Sequence, residues 1–194
     1  MEYILRTEDE YIEYGGVSIN KAAVEFIESI LDNGKTILEL GSGPGSTVGL
    51  GKIYNLYSVE NQPEWFDRYS KYTTYINCRS KSYDETYTKP NGFLNDKAWY
   101  HPDDLFYKNA KDMKINLPNS YDLILVDGPG GFSHGWGRGG FYKHIDKFNT
   151  DVPIIFDDIN RDEESELMKR VSEYIDRPYK YLETDFENEI GYIL

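Results

Sequence analysis

The sequence lacks the features of disulfide-rich, membrane and secreted proteins. It has one cysteine, Cys78, in 194 residues, which excludes an intramolecular disulfide and a zinc site built from cysteines. No apolar run approaches the roughly 20 residues that a membrane helix needs. The N-terminus is acidic and lacks the apolar segment of a secretory signal. We therefore expect a cytoplasmic protein with no membrane partner.

Positive charge is also scarce. The chain has 21 Lys and Arg against 34 Asp and Glu, which gives a formal net charge of −13. Proteins that bind nucleic acid need clustered Lys and Arg for phosphate contacts, so we expect no nucleic-acid partner. Hydrophobic residues make up 39% of the chain, an ordinary globular share. A chain of this length can bury a core, so residues 1–194 are predicted to form a single domain.

Helix and strand patterns alternate from about residue 18, which is typical of a parallel sheet covered by helices on both faces. The predicted helices cover residues 19–32, the glycine-rich loop to residue 52, 63–72, 103–113, 141–148 and 161–175. The predicted strands cover residues 35–40, 56–60, 74–78, 121–126, 152–156, 179–183 and 190–194. The fold class is therefore α/β: a Rossmann-like, doubly wound, mostly parallel seven-stranded sheet that ends in an antiparallel C-terminal hairpin.

Two segments stand outside this alternation. Residues 1–17 are a candidate N-terminal lid, and residues 80–118 form an insertion without a strong period. The insertion is rich in aromatic side chains, namely Tyr83, Tyr87, Trp99, Tyr100, His101, Phe106 and Tyr107. Exposed aromatic groups with polar atoms suit carbohydrates or flat rings. For most of them, however, packing within a small subdomain or in a dimer contact is the favoured interpretation.

A glycine-rich loop, Gly41-Ser-Gly-Pro-Gly-Ser46, follows the first predicted strand and opens a helix. Its three glycines carry no Cβ, so the backbone can approach a ligand closely. Glu39 stands two residues before the loop. A second acid, Glu60, ends the next strand, where a carboxylate can accept both hydroxyls of an unphosphorylated ribose. The alternative is a turn that only packs a strand against a helix.

The segment Glu39-Leu-Gly-Ser-Gly-Pro-Gly, with Glu60, resembles the cofactor site of class I S-adenosylmethionine-dependent methyltransferases. The order of helix, strand, loop, acid and closing hairpin extends this resemblance over about residues 18–194. The resemblance implies that the loop lies under the methionine part of the donor, that Glu39 faces its ammonium group through water, and that Glu60 holds the ribose. The implied cofactor-binding residues are Glu39, Gly41, Ser42, Gly43, Gly45, Ser46, Glu60 and Asp127.

Acidic residues follow the fourth and fifth predicted strands, as Asp127 and as Asp157-Asp158. These strand ends line the same crevice as the glycine loop. Three converging carboxylates repel one another unless a cation or protons relieve the charge. Oxygen ligands suit Mg²⁺ or Mn²⁺, and such an ion would lower the pKa of an acceptor hydroxyl. Alternatively, Asp127 contacts cofactor or substrate without a metal, Asp158 is a turn residue, and Asn160 with Glu163 caps the last helix.

Asp127 with Asp157 and Asp158 resembles the metal site of Mg²⁺-dependent sugar O-methyltransferases of antibiotic biosynthesis. The segment Val126-Asp-Gly-Pro-Gly-Gly, with Gly137-Arg-Gly and Tyr142, is similar to plant glucuronoxylan O-methyltransferases. Both groups methylate carbohydrate hydroxyls. The resemblance therefore implies methyl transfer from S-adenosylmethionine to a sugar or glycan hydroxyl with a divalent metal. A metal-free small-molecule or N-methyltransferase is one alternative, and a noncatalytic binding module on the same fold is another.

The glycine-rich loop after the fourth strand carries three more candidate residues. His134 is the candidate general base, since its ordinary pKa lies near neutrality, and Asp127 is the other catalytic candidate. Trp136 can stack on a sugar ring, and Arg138 can bind a carboxylate or phosphate of the substrate. The alternative is a surface loop with a solvated His and Arg and one anchoring Trp.

Overall fold

The structure, a computed structural model, describes residues 12, 14, 18–82, 98–106, 116–130, 138–183 and 190–194. The helices are Lys21–Ile30 (α1), Ser46–Gly51 (α2), Pro102–Phe106 (α3), Gly140–Lys143 (α4) and Asp162–Ile175 (α5), with a 3-10 turn at Ile145–Lys147. The strands are Thr36–Leu40 (β1), Asn55–Glu60 (β2), Thr74–Asn77 (β3), Ser80–Ser82 (β4), Ala98–Tyr100 (β5), Leu123–Val126 (β6), Ile154–Phe156 (β7), Tyr179–Tyr181 (β8) and Gly191–Ile193 (β9).

Seven of these strands form one sheet in the order β3-β2-β1-β6-β7-β9-β8. The pairs β2–β3, β1–β2, β1–β6 and β6–β7 are parallel, whereas β9 runs antiparallel to both β7 and β8. From β1 the chain adds β2 and β3 on one side of the sheet and then β6 and β7 on the other side. The carboxyl end of β1 therefore lies at a topological switch point, where sheets of this kind bind ligands. The predicted fold class is confirmed.

Alternating strand residues supply two cores, one on each face of the sheet. Ile37 of β1 and Leu125 of β6 pack with Ile27 of α1. Their chain neighbours Leu38 and Ile124 pack on the other face, among buried residues that include Leu167, Met168 and Val171 of α5. Burial on both faces is why these strands read as continuous apolar runs. Among the described residues, no helix is both long and apolar enough to cross a membrane.

The first helix has a side-chain cap and the last has none. Asn20 caps α1, because its side chain accepts the Ala22 N–H. The hydroxyl of Ser18, two residues earlier, accepts the Gly45 N–H at 2.6 Å. At α5 the N-cap residue is Arg161 rather than Asn160, and no side-chain hydrogen bond caps it.

The predicted helix over residues 63–72 is wrong. This segment is a series of turns closed by hydrogen bonds to the third residue back, as from Trp65 N–H to the Gln62 carbonyl. Asp67 has φ +56°, in the left-handed region, which a regular helix cannot contain. The helix expected over 103–113 is observed as α3, Pro102–Phe106, and its remaining residues lie outside the described ranges.

The described part of the insertion is a two-stranded antiparallel sheet, β4 with β5, followed by α3. Trp99 and Tyr100 of β5 are 2% and 0% exposed and belong to a core. These two side chains therefore pack in a core, which is the interpretation favoured for most of the aromatic residues of the insertion. Tyr83, Tyr87 and Tyr107 lie outside the described residues, and so does the candidate lid over 1–17 apart from Ile12 and Tyr14.

Candidate functional site

The glycine loop joins β1 to α2 and is held against the segment that follows β6. Gly41 has φ +103°, a conformation that side chains other than glycine rarely adopt. A Cβ at Gly41 would lie 3.0 Å from the Gly128 nitrogen, and one at Gly128 would lie 2.6 Å from Gly41 Cα. The two backbones can therefore approach this closely only because both residues are glycine.

Glu60 ends β2 beside this loop. Its Oε2 accepts a hydrogen bond from the Ser42 hydroxyl at 2.7 Å. Its Oε1 accepts the backbone N–H groups of Asn61 at 2.7 Å and Gln62 at 2.9 Å. These donors fix the carboxylate at the carboxyl edge of the sheet. The Ser42 hydroxyl occupies a position on Oε2 that a ribose hydroxyl would also suit, since both are O–H donors.

Glu39 lies in β1 and is fully buried. Its Oε2 accepts the hydroxyls of Thr47 and Ser58, and the Thr47 oxygen in turn accepts the Gly43 N–H at 3.0 Å. The Glu39 carboxyl group is thus linked to the glycine loop through the Thr47 hydroxyl. Burial raises the pKa of Glu39 to about 8, although the hydroxyl hydrogen bonds oppose this shift.

The buried Tyr100 Oη beside the loop has no hydrogen-bond partner among the described residues. The Ser46 hydroxyl, by contrast, interacts with the Glu39 carboxyl group and helps to lower its pKa. A buried polar group without a partner costs about 1–3 kcal/mol, so such an atom is uncommon and marks a place where a ligand can supply the bond. Together with the Glu60 carboxylate, Tyr100 Oη fits a ligand that carries hydroxyl or amino groups.

The three aspartates that follow β6 and β7 come together. Each of Asp127, Asp157 and Asp158 offers a carboxylate oxygen, and these oxygens lie within 4.8 Å of one another. Successive residues of a strand point to opposite faces, but β7 ends at Phe156. Asp158 then adopts φ +61°, which takes the backbone out of the extended conformation and lets its side chain join the other two.

Arg138 already supplies a cation to this acidic cluster, which we define as Asp127, Asp157, Asp158 and Glu164. The side chain is 3% exposed. Its Nη2 lies 2.7 Å from Asp158 Oδ2 and 3.5 Å from Asp127 Oδ1, and its Nη1 donates to the Asp157 carbonyl at 2.9 Å. Its Nε lies 3.8 Å from Glu164 Oε1. Sequence reasoning gave Arg138 a substrate contact, whereas the structure places it among the carboxylates.

Burial also shifts the carboxyl groups of the cluster toward their neutral forms. Burial, reinforced by the charges of Asp127 and Asp158, raises the pKa of Asp157 well above its ordinary value. Burial also raises the pKa of Glu164 to about 7, against the opposing effect of Arg138. A second guanidinium, that of Arg161, lies 2.9 Å from Asp158 Oδ2 at the surface side.

A divalent ion fits this arrangement poorly. The carboxylate oxygens are the right chemistry for Mg²⁺ or Mn²⁺. However, an ion bridging Asp127 and Asp158 would have to share the space of the Arg138 Nη2 atom that already lies between them. The divalent ion and the Arg138 guanidinium would then be in direct contact, and two cations so close together repel strongly in a buried site. The metal site over Asp127, Asp157 and Asp158 therefore stays a prediction, and we derive no step through a metal.

Two predicted site residues, His134 and Trp136, lie outside the described ranges, and their roles stay predictions. Conversely, sequence reasoning missed Glu164 and the position of Tyr100. Glu164 sits in the acidic first turn of α5, a pattern that usually marks only a favourable helix dipole. Tyr100 lies in the aromatic insertion, and nothing in its local sequence points to the glycine loop.

No protein-family model matches this chain, and no curated protein sequence matches it significantly. Among solved structures, it is similar to precorrin-6y C5,15-methyltransferase from Geobacter metallireducens, with 13% identity, a TM-score of 0.45, and coverage of 89% of this chain and 84% of that one. It is also similar to a TehB-like SAM-dependent methyltransferase from Corynebacterium glutamicum, with 12% identity, a TM-score of 0.43, and coverage of 90% and 87%.

These similarities are low, so the fold assignment comes from the chain's own strand order. A central parallel sheet, an antiparallel last strand and an acid-bordered glycine loop at the switch point define a Rossmann-like α/β domain.

Proposed function

We propose that this protein is an S-adenosylmethionine-dependent O-methyltransferase that acts on a sugar or glycan hydroxyl. The observation that carries the donor assignment is the contact between the glycine loop and Glu60 at the switch point of the sheet, through the Ser42 hydroxyl. A carboxylate held there suits the diol of a ribose. The choice of a carbohydrate acceptor rests on the resemblance of Val126-Asp-Gly-Pro-Gly-Gly, Gly137-Arg-Gly and Tyr142 to glycan O-methyltransferases.

The residues at the end of β2 and after β6 have different roles in this reaction. Glu60 and the glycine loop bind and orient the donor, whose sulfonium supplies an electrophilic methyl group when bound. Asp127 lies at the acidic side of the same crevice, where it would accept the proton of the acceptor hydroxyl. The hydroxyl oxygen would gain the methyl group as the bond from that carbon to sulfur breaks, and the donor would leave as a neutral thioether. Burial raises the pKa of Asp127 from its ordinary value, which moves a carboxylate toward the strength that a general base needs. Arg138 keeps Asp127 and Asp158 in place throughout.

Donor binding is tested by calorimetry with S-adenosylmethionine. Glu60→Gln keeps the shape of the side chain but removes its charge, so we expect affinity to fall roughly 10- to 150-fold, the value of one charge-assisted hydrogen bond. Glu25→Gln, on the exposed face of α1, is the matched control and should bind like the wild type. No heat with the wild-type protein would reject the donor assignment, and an unchanged affinity for the Glu60 variant would reject the role of that residue.

The acceptor is tested with a labelled donor and a panel of sugars, glycans, phenols and amines. We expect label in a carbohydrate and a new O-methyl signal in its NMR spectrum. A metal-free small-molecule or N-methyltransferase is the second candidate. The cation that Arg138 provides to the acidic cluster serves both candidates, so the acceptor panel decides between them. Label only in amines or phenols would select this candidate.

A further inference from the structure

The Tyr100 hydroxyl is a buried polar group to which the proposed reaction assigns no role. Tyr100 is 0% exposed, and its Oη has no hydrogen-bond partner within the part of the chain that the structure describes. A tyrosine hydroxyl in a core usually has a partner. A phenylalanine at this position would fill the same space without the cost of burying an unpartnered hydroxyl.

This hydroxyl lies at the glycine loop. A Cβ on Gly128 would lie 2.5 Å from Tyr100 Oη and 2.6 Å from Gly41 Cα, so the hydroxyl lies against the contact between these two glycines. Glu60 accepts the hydroxyl of Ser42, the residue after Gly41, and Asp127 precedes Gly128. The Tyr100 hydroxyl therefore lies at a backbone contact whose two chain neighbours involve Glu60 and Asp127.

Packing holds the tyrosine in this position. Tyr100 pairs with Ser80 across β4 and β5, and its ring lies 4.7 Å from the ring of Trp99. Trp99 in turn packs directly on Gly140, where a Cβ would meet the indole at 2.1 Å. The insertion is thus fixed to the start of α4, and Tyr100 cannot turn its hydroxyl to solvent without disturbing these contacts. Burial is the main reason that its pKa is raised well above the ordinary value, so the hydroxyl stays a neutral donor.

The geometry points to Tyr100 as a donor-binding residue whose hydroxyl makes a hydrogen bond with a polar group of the bound sulfonium nucleoside. The inference rests on the proposed function. A ligand lying along Gly41 between Glu60 and Asp127 brings ribose, amino and carboxylate groups past Tyr100 Oη. The hydrogen bond that the free protein lacks is then made in the complex.

Tyr100→Phe tests this role, because it removes one oxygen and keeps the ring. We expect its affinity for S-adenosylmethionine, measured by calorimetry, to fall roughly 2- to 10-fold, and its melting temperature to equal or exceed that of the wild type. Adenosine and methionine, used as separate ligands, show which half of the donor meets the hydroxyl. Tyr54→Phe is the matched control, since the Tyr54 hydroxyl has a partner, the Leu31 carbonyl at 3.1 Å. It should lower the melting temperature slightly and leave affinity unchanged.

Two results would overturn the inference. One is an affinity for S-adenosylmethionine that Tyr100→Phe leaves unchanged while the wild type binds. The other is a melting temperature for Tyr100→Phe that falls further than that of Tyr54→Phe, since the hydroxyl would then have a structural partner. A wild-type protein that binds no S-adenosylmethionine would instead reject the proposed function itself.

Discussion

Replacing Arg138 by methionine should destabilise the protein more than any other loss of a single charge. Methionine fills much of the same volume but leaves the acidic cluster without its buried cation. Removing one partner of a buried ion pair costs about 3–5 kcal/mol, because the other charge stays buried and unpaired. Arg138 is 3% exposed and faces Asp158 at 2.7 Å, so this range applies. For a chain of this size it corresponds to a melting temperature lower by about 6–20 °C.

The assay is urea unfolding followed by circular dichroism at pH 8 and at pH 5.5. The loss of unfolding free energy in Arg138→Met, relative to the wild type, should be largest at pH 8. At that pH the carboxyl group of Glu164, whose pKa is raised to about 7, is ionised. This loss should shrink at pH 5.5, because protonation of the cluster removes the uncompensated charge. Arg170→Met is the matched control. Arg170 pairs with Glu166 on α5, but both side chains are at least a third exposed, so its loss should cost about 0–1 kcal/mol.

If Arg138→Met lost no more unfolding free energy than Arg170→Met, this account of the acidic cluster would be refuted. Added Mg²⁺ gives a second readout. If Arg138 fills the place of an ion, Mg²⁺ should stabilise Arg138→Met and leave the wild type unchanged.

Two further predictions concern protons and metal. Folding raises the pKa of Glu39 from 4.5 to about 8, so the folded protein binds more protons between these values and the free energy of unfolding should fall as pH rises through that window. Glu39→Gln should flatten the fall, whereas Glu25→Gln should not; equal slopes would contradict the assignment. EDTA should leave turnover unchanged, because Arg138 supplies the cation. Activity lost in EDTA and restored by Mg²⁺ or Mn²⁺ would favour the metal site instead.

Much of the sheet was predictable because each strand carries its own signal. β6 is a continuous apolar run, Leu123–Val126, between Asp122 and Asp127, and β1 and β2 are short, mainly apolar segments that end before Gly41 and at Glu60. The segment 63–72 was not predictable in this way. Its proline and its aromatic spacing indicate a helix, but the left-handed Asp67 and the packing of Gly51 against the Tyr72 backbone make it a series of turns.

In the candidate site, too, some features were predictable from the sequence and others were not. The sequence by itself determined which functional residues follow which strand: a glycine loop after β1, an acid at the end of β2, and aspartates after β6 and β7. Only the tertiary structure decided that Arg138 enters the acidic cluster, that Ser18 supports Gly45, and that the Tyr100 hydroxyl meets Gly128. The reason is physical: strand ends follow from local patterning and parallel topology, whereas a buried charge or hydroxyl finds its partner through the packing of segments far apart in the chain.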